Sequence, residues 1–143
     1  MPAKLSLNEQ AQLLTIARDA VNATARNQPL TRLDPEKYSH VLTANGASFV
    51  TLTISGILRG CIGTLEAYQP LIVDVQKRAL QAASQDPRFH PVTPEELAQI
   101  KIEVSRLSAP EPVDYDHPQE LLTLLIPGED GVIISEGHRR ATF

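Results

Sequence analysis

Chemically specialised residues are scarce in this chain. Its 143 residues include one cysteine, one methionine and no tryptophan, and aromatic residues make up only 4%. A single cysteine excludes an internal disulfide and suits a reducing compartment. With so few rings, a core must be built from Leu, Ile, Val and Ala. Basic charge is also short: 13 Lys and Arg stand against 17 Asp and Glu, a net charge of −4. Nucleic-acid binders carry a basic surplus, so that class of partner is not expected. The basic doublets Lys77-Arg78 and Arg139-Arg140 read as exposed surface. The N-terminus lacks a charged-then-apolar leader pattern, and no apolar run nears the roughly 18 residues of a membrane span. The expectation is a cytosolic protein with no membrane partner. Hydrophobic residues make up 42%, enough for one domain with a real core.

Nucleotide and metal signatures are missing too. Gly56, Gly60 and Gly63 do not form a dinucleotide fingerprint, and no Walker-type Gly-Lys-Thr or Gly-Lys-Ser occurs. His40, His90, His117 and His138 lie in separate connectors, none at metal-ligand spacing to another His or to Cys61. His-Glu-x-x-His, Cys-x-x-Cys and Gly-x-Ser-x-Gly are absent. The sequence therefore calls for no cofactor and no metal.

What is present centres on Leu58-Arg59-Gly60-Cys61-Ile62-Gly63-Thr64. Before it runs Phe49-Val50-Thr51-Leu52-Thr53-Ile54, alternating and β-branched, with Ser55-Gly56 as a turn signal between. The pattern predicts a β-hairpin. A two-residue turn sets Val50 against Cys61 and mixes the faces. A three-residue turn sets Leu52 against Leu58 and Val50 against Gly60, keeping the apolar face continuous. The second register is expected. It pairs Phe49 with Cys61 and Thr51 with Arg59, and turns Arg59 and Cys61 side by side away from the core. Gly60 leaves room for a helix or backbone on the inner face.

Elsewhere, Ser6-Leu7-Asn8-Glu9 is a capping box opening a helix over about residues 7–26, with Leu7, Ala11, Leu14, Ala17 and Val21 as its stripe, widened by Leu13, Ile16 and Ala20. Residues 27–47 form a turn-prone connector. Pro70 is placed at the first position of a second helix, with Ile72, Val75, Ala79, Ala82 and Ala83 inward and Asp74, Lys77, Arg78 and Gln81 outward. Asp86-Pro87 ends it, and Phe89 is expected to return to the core. Thr93-Pro94-Glu95-Glu96 opens a short helix to about Gln99, and Ile100, Ile102 and Val104 alternate as a strand. A helix through Leu121, Leu122 and Leu125 and two strands, Val132-Ile133-Ile134 and Arg140-Ala141-Thr142-Phe143, complete the reading. Closely spaced strands between helices predict an α+β fold, a mainly antiparallel sheet with flanking helices, rather than a doubly wound parallel sheet.

The hexapeptide Leu58-Arg59-Gly60-Cys61-Ile62-Gly63 resembles the hallmark of the AMMECR domain family, the protein A of the AmmeMemoRadiSam system. The likeness extends through Phe49–Leu52, Asp86-Pro87-Arg88-Phe89, Glu103-Val104-Ser105 and Arg139–Phe143. It implies an α+β fold with a smaller subdomain, and association with a Memo-type protein and a radical SAM protein. It supplies no settled reaction. Family members continue past the position of Phe143 with a Leu-Pro-x-Val segment and a further helix. Residues 1–143 are read as a single AMMECR-like domain without that segment.

Two roles remain open for the cysteine strand. In one, Cys61 is a nucleophile in a cleft, with Arg59 and Arg88 as cations that favour its thiolate. Gly60, Gly63, Thr64, Asp86 and Ser105 are then candidate ligand-binding positions, with Glu103 beside Ser105. In the other, Cys61 packs inertly in a crowded hairpin, the glycines admit the alanine face of the second helix, and Asp86 and Arg88 fix the helix exit. The chain is then a substrate-presenting or protein-docking module.

Overall fold

A computed structural model describes residues 4–142. The chain divides into two compact units, Met1–Pro110 and Glu111–Phe143. The first is a two-layer α+β sandwich. Helix α1 (Leu7–Ala25), a 3-10 turn (Pro35–Lys37) and short α2 (His40–Thr43) precede strands β1 (Ala47–Ile54) and β2 (Ile57–Gly63). Helix α3 (Leu71–Ser84), a 3-10 helix (Pro94–Gln99) and β3 (Ile100–Leu107) follow. The sheet is antiparallel, ordered β2-β1-β3. Helices α1 and α3 lie against each other and cover one face of it.

The helices start where local chemistry sets them. Ser6 and Glu9 exchange bonds in a full capping box, with Ser6 N–H donating to Glu9 at 2.7 Å. Pro70 is the N-cap of α3 rather than its first turn, because its extended ψ of 140° places it outside the helix. The core joins Leu13, Ile16, Ala17, Ala20 and Val21 of α1 to Val50, Leu52, Ile72, Val75, Ala79 and Ala82. The expected α1 stripe is thus rotated: Leu7, Ala11 and Leu14 are exposed.

Two residues expected on the outer face of α3 are buried. Asp74 is fully enclosed and Arg78 is 7% exposed. Their spacing of four places the Arg78 guanidinium 3.1 Å from the carboxylate. Ser48 Oγ donates to Asp74 Oδ2 at 2.6 Å, Gln69 Nε2 donates to Asp74 Oδ1 at 2.9 Å, and Arg78 also donates to the Tyr68 hydroxyl at 2.7 Å. This buried charge pair is tolerated because its polar atoms are met by hydrogen bonds. It ties α3 to β1 and to the loop after β2.

The hairpin register differs from the expected one. Ser55 (φ 51°) and Gly56 (φ 77°) form a two-residue turn with both residues left-handed, matching the twist of the strands. Ile54 therefore pairs with Ile57 and Thr53 with Leu58. A bulge at Arg59 then restores the faces, so that Leu52 pairs with Gly60, Thr51 with Cys61 and Phe49 with Gly63. Phe49 does not face Cys61, nor Leu52 Leu58. The conflict between a tight turn and a continuous apolar face is resolved by an inserted residue rather than a longer turn.

In the second unit, a 3-10 turn (Pro118–Glu120) leads into α4 (Leu121–Leu124), and β4 (Ile133–Glu136) pairs with β5 (Arg139–Thr142) as a hairpin around Gly137. The expected strand end at Phe143 lies outside the described residues.

Candidate functional site

Strand β2 is an edge strand. An edge leaves amides and carbonyls without a ladder partner. At Cys61 both are taken by side chains from the exit of α3. Asp86 accepts the Cys61 amide at 3.0 Å, and Arg88 Nη2 reaches the Cys61 carbonyl at 3.5 Å. Asp86 in turn accepts from Arg88 N–H at 3.1 Å, Nε at 3.0 Å and Nη2 at 2.8 Å. The Asp86 side chain is 2% exposed and that of Arg88 56%. Bonds from Arg88, and after them the Cys61 amide, hold the Asp86 carboxyl well below the usual carboxylate range. The same pairing raises Arg88.

Arg59 is the bulged residue, and the bulge re-aims its side chain. Its Nε donates to Glu96 Oε2 at 2.7 Å and its Nη2 to Oε1 at 3.0 Å, a two-pronged ion pair. Glu96 also accepts the Thr93 amide at 3.0 Å. Arg59 first, and Thr93 after it, bring the Glu96 carboxyl down to about 2. The Arg59 Nη1 is buried without a hydrogen-bond partner. Phe89, expected in the core, is half-buried instead, with the guanidinium carbons of Arg59 and Arg88 at 6.0 and 5.4 Å from its ring centre. Such contacts shield the two cations further.

Among the described residues neither arginine hydrogen-bonds to the thiol, although Arg88 lies near enough to feel its charge. Cys61 Sγ lies 3.2 Å from Thr51 Oγ1, its partner across the ladder, and is half-buried. Gly60 is on the opposite, inner face, where a Cβ would run into the Ala82 carbonyl oxygen of α3. Gly63 lies under the Phe49 ring, which a Cβ there would strike. Thr64 closes the strand: its N–H donates to Ser48 O at 3.0 Å, and its hydroxyl takes the Glu66 amide at 3.3 Å. Ser105 is opposite Phe49 on β3, so β1 separates it from Cys61. Thus Cys61, Asp86, Arg88, Arg59 and Phe89 are gathered along the β2 edge. Gly60 and Thr64 serve packing and the strand end, and Ser105 belongs to another strand. Thr51 and Glu96 are the participants that sequence reasoning missed. The N3 position of the capping box was a signal for Glu96; Thr51 needed the bulge. Two concavities, of about 520 and 360 Å3, are lined by residues other than these.

No helix among the described residues is long and apolar enough to cross a membrane. The AMMECR1 family model matches residues 14–143. A protein of Methanothermobacter thermautotrophicus is 42% identical over 138 residues, covering 96% of this chain and 71% of that protein. One from Methanocaldococcus jannaschii is 43% identical over 107 residues, covering 73% of this chain and 53% of its own length. The crystal structure of an uncharacterized protein from Pyrococcus horikoshii superposes with a TM-score of 0.87 at 30% identity, over 98% of this chain and 70% of that one. By the family match across nearly its whole length and by these relatives, the chain belongs to the AMMECR1 family.

Proposed function

We propose that this chain is a non-catalytic module that presents a substrate or docks partner enzymes, working with a Memo-type protein and a radical SAM protein, and that Cys61 is part of its framework. One observation carries the reading: both cations near the thiol are closed on carboxylates, Arg59 on Glu96 and Arg88 on Asp86. An activated cysteine needs a cation or base aimed at its sulfur. Here the sulfur has a neutral hydroxyl, Thr51. The Asp86 and Arg88 pair acts on the Cys61 backbone instead, sealing the strand edge.

The test compares the wild-type chain with Cys61→Ser. Alkylation of Cys61 is expected to be at least about tenfold slower in the native chain than in urea, as for a thiol held in packing. Cys61→Ser is expected to lower the thermal midpoint by a few degrees, consistent with roughly 1 kcal/mol lost at a half-buried contact. It should leave binding to the purified Memo-type and radical SAM proteins unchanged by calorimetry. Rapid native alkylation, with Cys61→Ser abolishing product in a reconstituted system while the fold persists, would replace this reading with the nucleophilic one.

A further inference from the structure

We propose that β3 is the self-association edge of this chain, pairing two copies antiparallel about Ile102 into one continuous six-stranded sheet. Strand β3 is the edge opposite to β2. The direction of its backbone groups follows from two bonds. Thr64 N–H donates to Ser48 O, so the even-numbered residues of β1 bond toward β2 and the odd-numbered ones toward β3. Glu103 and Ser105, opposite Thr51 and Phe49, therefore bond inward. Ile100, Ile102 and Val104 turn their amides and carbonyls outward. The Ile100 carbonyl agrees, since it accepts Arg18 Nη2 at 2.7 Å from outside the ladder. No bond to the outward groups of Ile102 or Val104 comes from another described segment.

Helix α1 flanks this edge with an apolar stripe that its own unit leaves uncovered. Leu7 is 83% exposed and Leu14 43%, with Ala11 exposed between them. A groove of about 360 Å3 runs between α1 and the strand, lined by Leu14, Thr15, Arg18, Asp19, Lys101 and Ile102. An open strand edge beside an uncovered helix stripe is what a two-layer fold presents when both layers continue across an interface.

Charge selects a second copy as the occupant and fixes the register. Lys101 and Glu103 are exposed on the outer face of β3. Antiparallel pairing centred on Ile102 sets Lys101 of each copy directly opposite Glu103 of the other. That gives two cross-strand ion pairs at a non-hydrogen-bonded position, where side chains approach most closely. Ile102 exchanges two bonds with its counterpart, and Ile100 adds none, because its amide is bonded to Leu97 O and its carbonyl to Arg18. Centring on Glu103 instead sets like charges face to face and is disfavoured. The Cys61 edge stays free at both ends of the joined sheet, so this association neither uses nor blocks the site described above.

Sedimentation velocity on the chain, from about 1 μM to about 1 mM, tests the proposal with a charge-swap cycle. Wild type should show a monomer–dimer equilibrium. Lys101→Glu and Glu103→Lys, both exposed, should each weaken it by about tenfold or more, since two attractive pairs become repulsive. The double variant should return to within about threefold of wild type. Leu14→Glu should weaken the dimer without lowering the thermal midpoint. A wild-type chain that stays monomeric at about 1 mM overturns the proposal and makes Lys101 and Glu103 guards against edge pairing. Single swaps without effect, or a double swap that restores nothing, overturn it equally.

Discussion

Gly60 shows how a single missing atom positions the helix layer. A Cβ at this position would collide with the Ala82 carbonyl oxygen, a backbone group that no rotamer change can move aside. The three buried alanines of α3 bring that backbone within reach of the strand. Gly60→Ala is therefore expected to cost about 3 kcal/mol, a fall of roughly 10 °C in the thermal midpoint. Gly63→Ala meets the Phe49 ring at its Cγ, the base of the side chain, so the ring must leave its rotamer. A Gly60→Ala protein as stable as wild type would refute the close approach. The packing role of Gly60 was legible in the sequence because glycine between apolar strand residues signals a close neighbour. The burial of Asp74 was not. Helical periodicity assigns a charged residue to the solvent face, and only the enclosing partners Ser48, Gln69 and Arg78 make an inward carboxylate tolerable. Those partners come from three segments that the fold must first assemble.

At the scale of the element, the hairpin depends on its bulge and on the ion pair that the bulge aims. Element types were readable from periodicity and capping residues: both helices of the main layer, the hairpin and β3 fall where the pattern puts them. The pairing was not readable, because a turn and a bulge together reproduce the same facial alternation as a longer turn. Arg59 consequently faces Glu96, and the pair has a pH signature. Arg59 depresses the Glu96 carboxyl from 4.5 to about 2. The folded chain thus binds fewer protons there than the unfolded chain. The stabilisation is present in full above the unfolded value and is lost as pH falls through the folded one. Glu96→Gln removes this contribution. It should be less stable than wild type at pH 7, and the gap should shrink as pH drops from about 4.5 toward 2. Urea midpoints for both proteins at several pH values measure it. Asp86 is depressed as well and titrates in both proteins, so it cancels from the difference. A gap independent of pH would show that Glu96 carries no linked proton.

At the scale of the whole molecule, burial is distributed unevenly along the chain. Every member of the main core lies between Leu13 and Ile100, inside the unit Met1–Pro110. In the unit Glu111–Phe143 no described residue is buried, and Leu122, Leu124, Ile126 and Ile134 are all more than half exposed. Its described residues stay exposed although they form the helix and the hairpin that the local pattern predicts. The boundary falls at Ala109-Pro110-Glu111-Pro112, where the prolines interrupt regular structure. Two fragments test the division. Residues 1–110 alone should unfold in one cooperative transition, because they hold the complete core and the three ion pairs Asp74–Arg78, Arg59–Glu96 and Asp86–Arg88. A peptide of residues 111–143 should give the circular dichroism of an unfolded chain at 25 °C, since isolated short helices and two-stranded hairpins are marginal in water. If residues 1–110 fail to fold while the 143-residue chain is cooperative, the core of the first unit is not self-sufficient, and the second unit contributes stability that its own burial does not reveal.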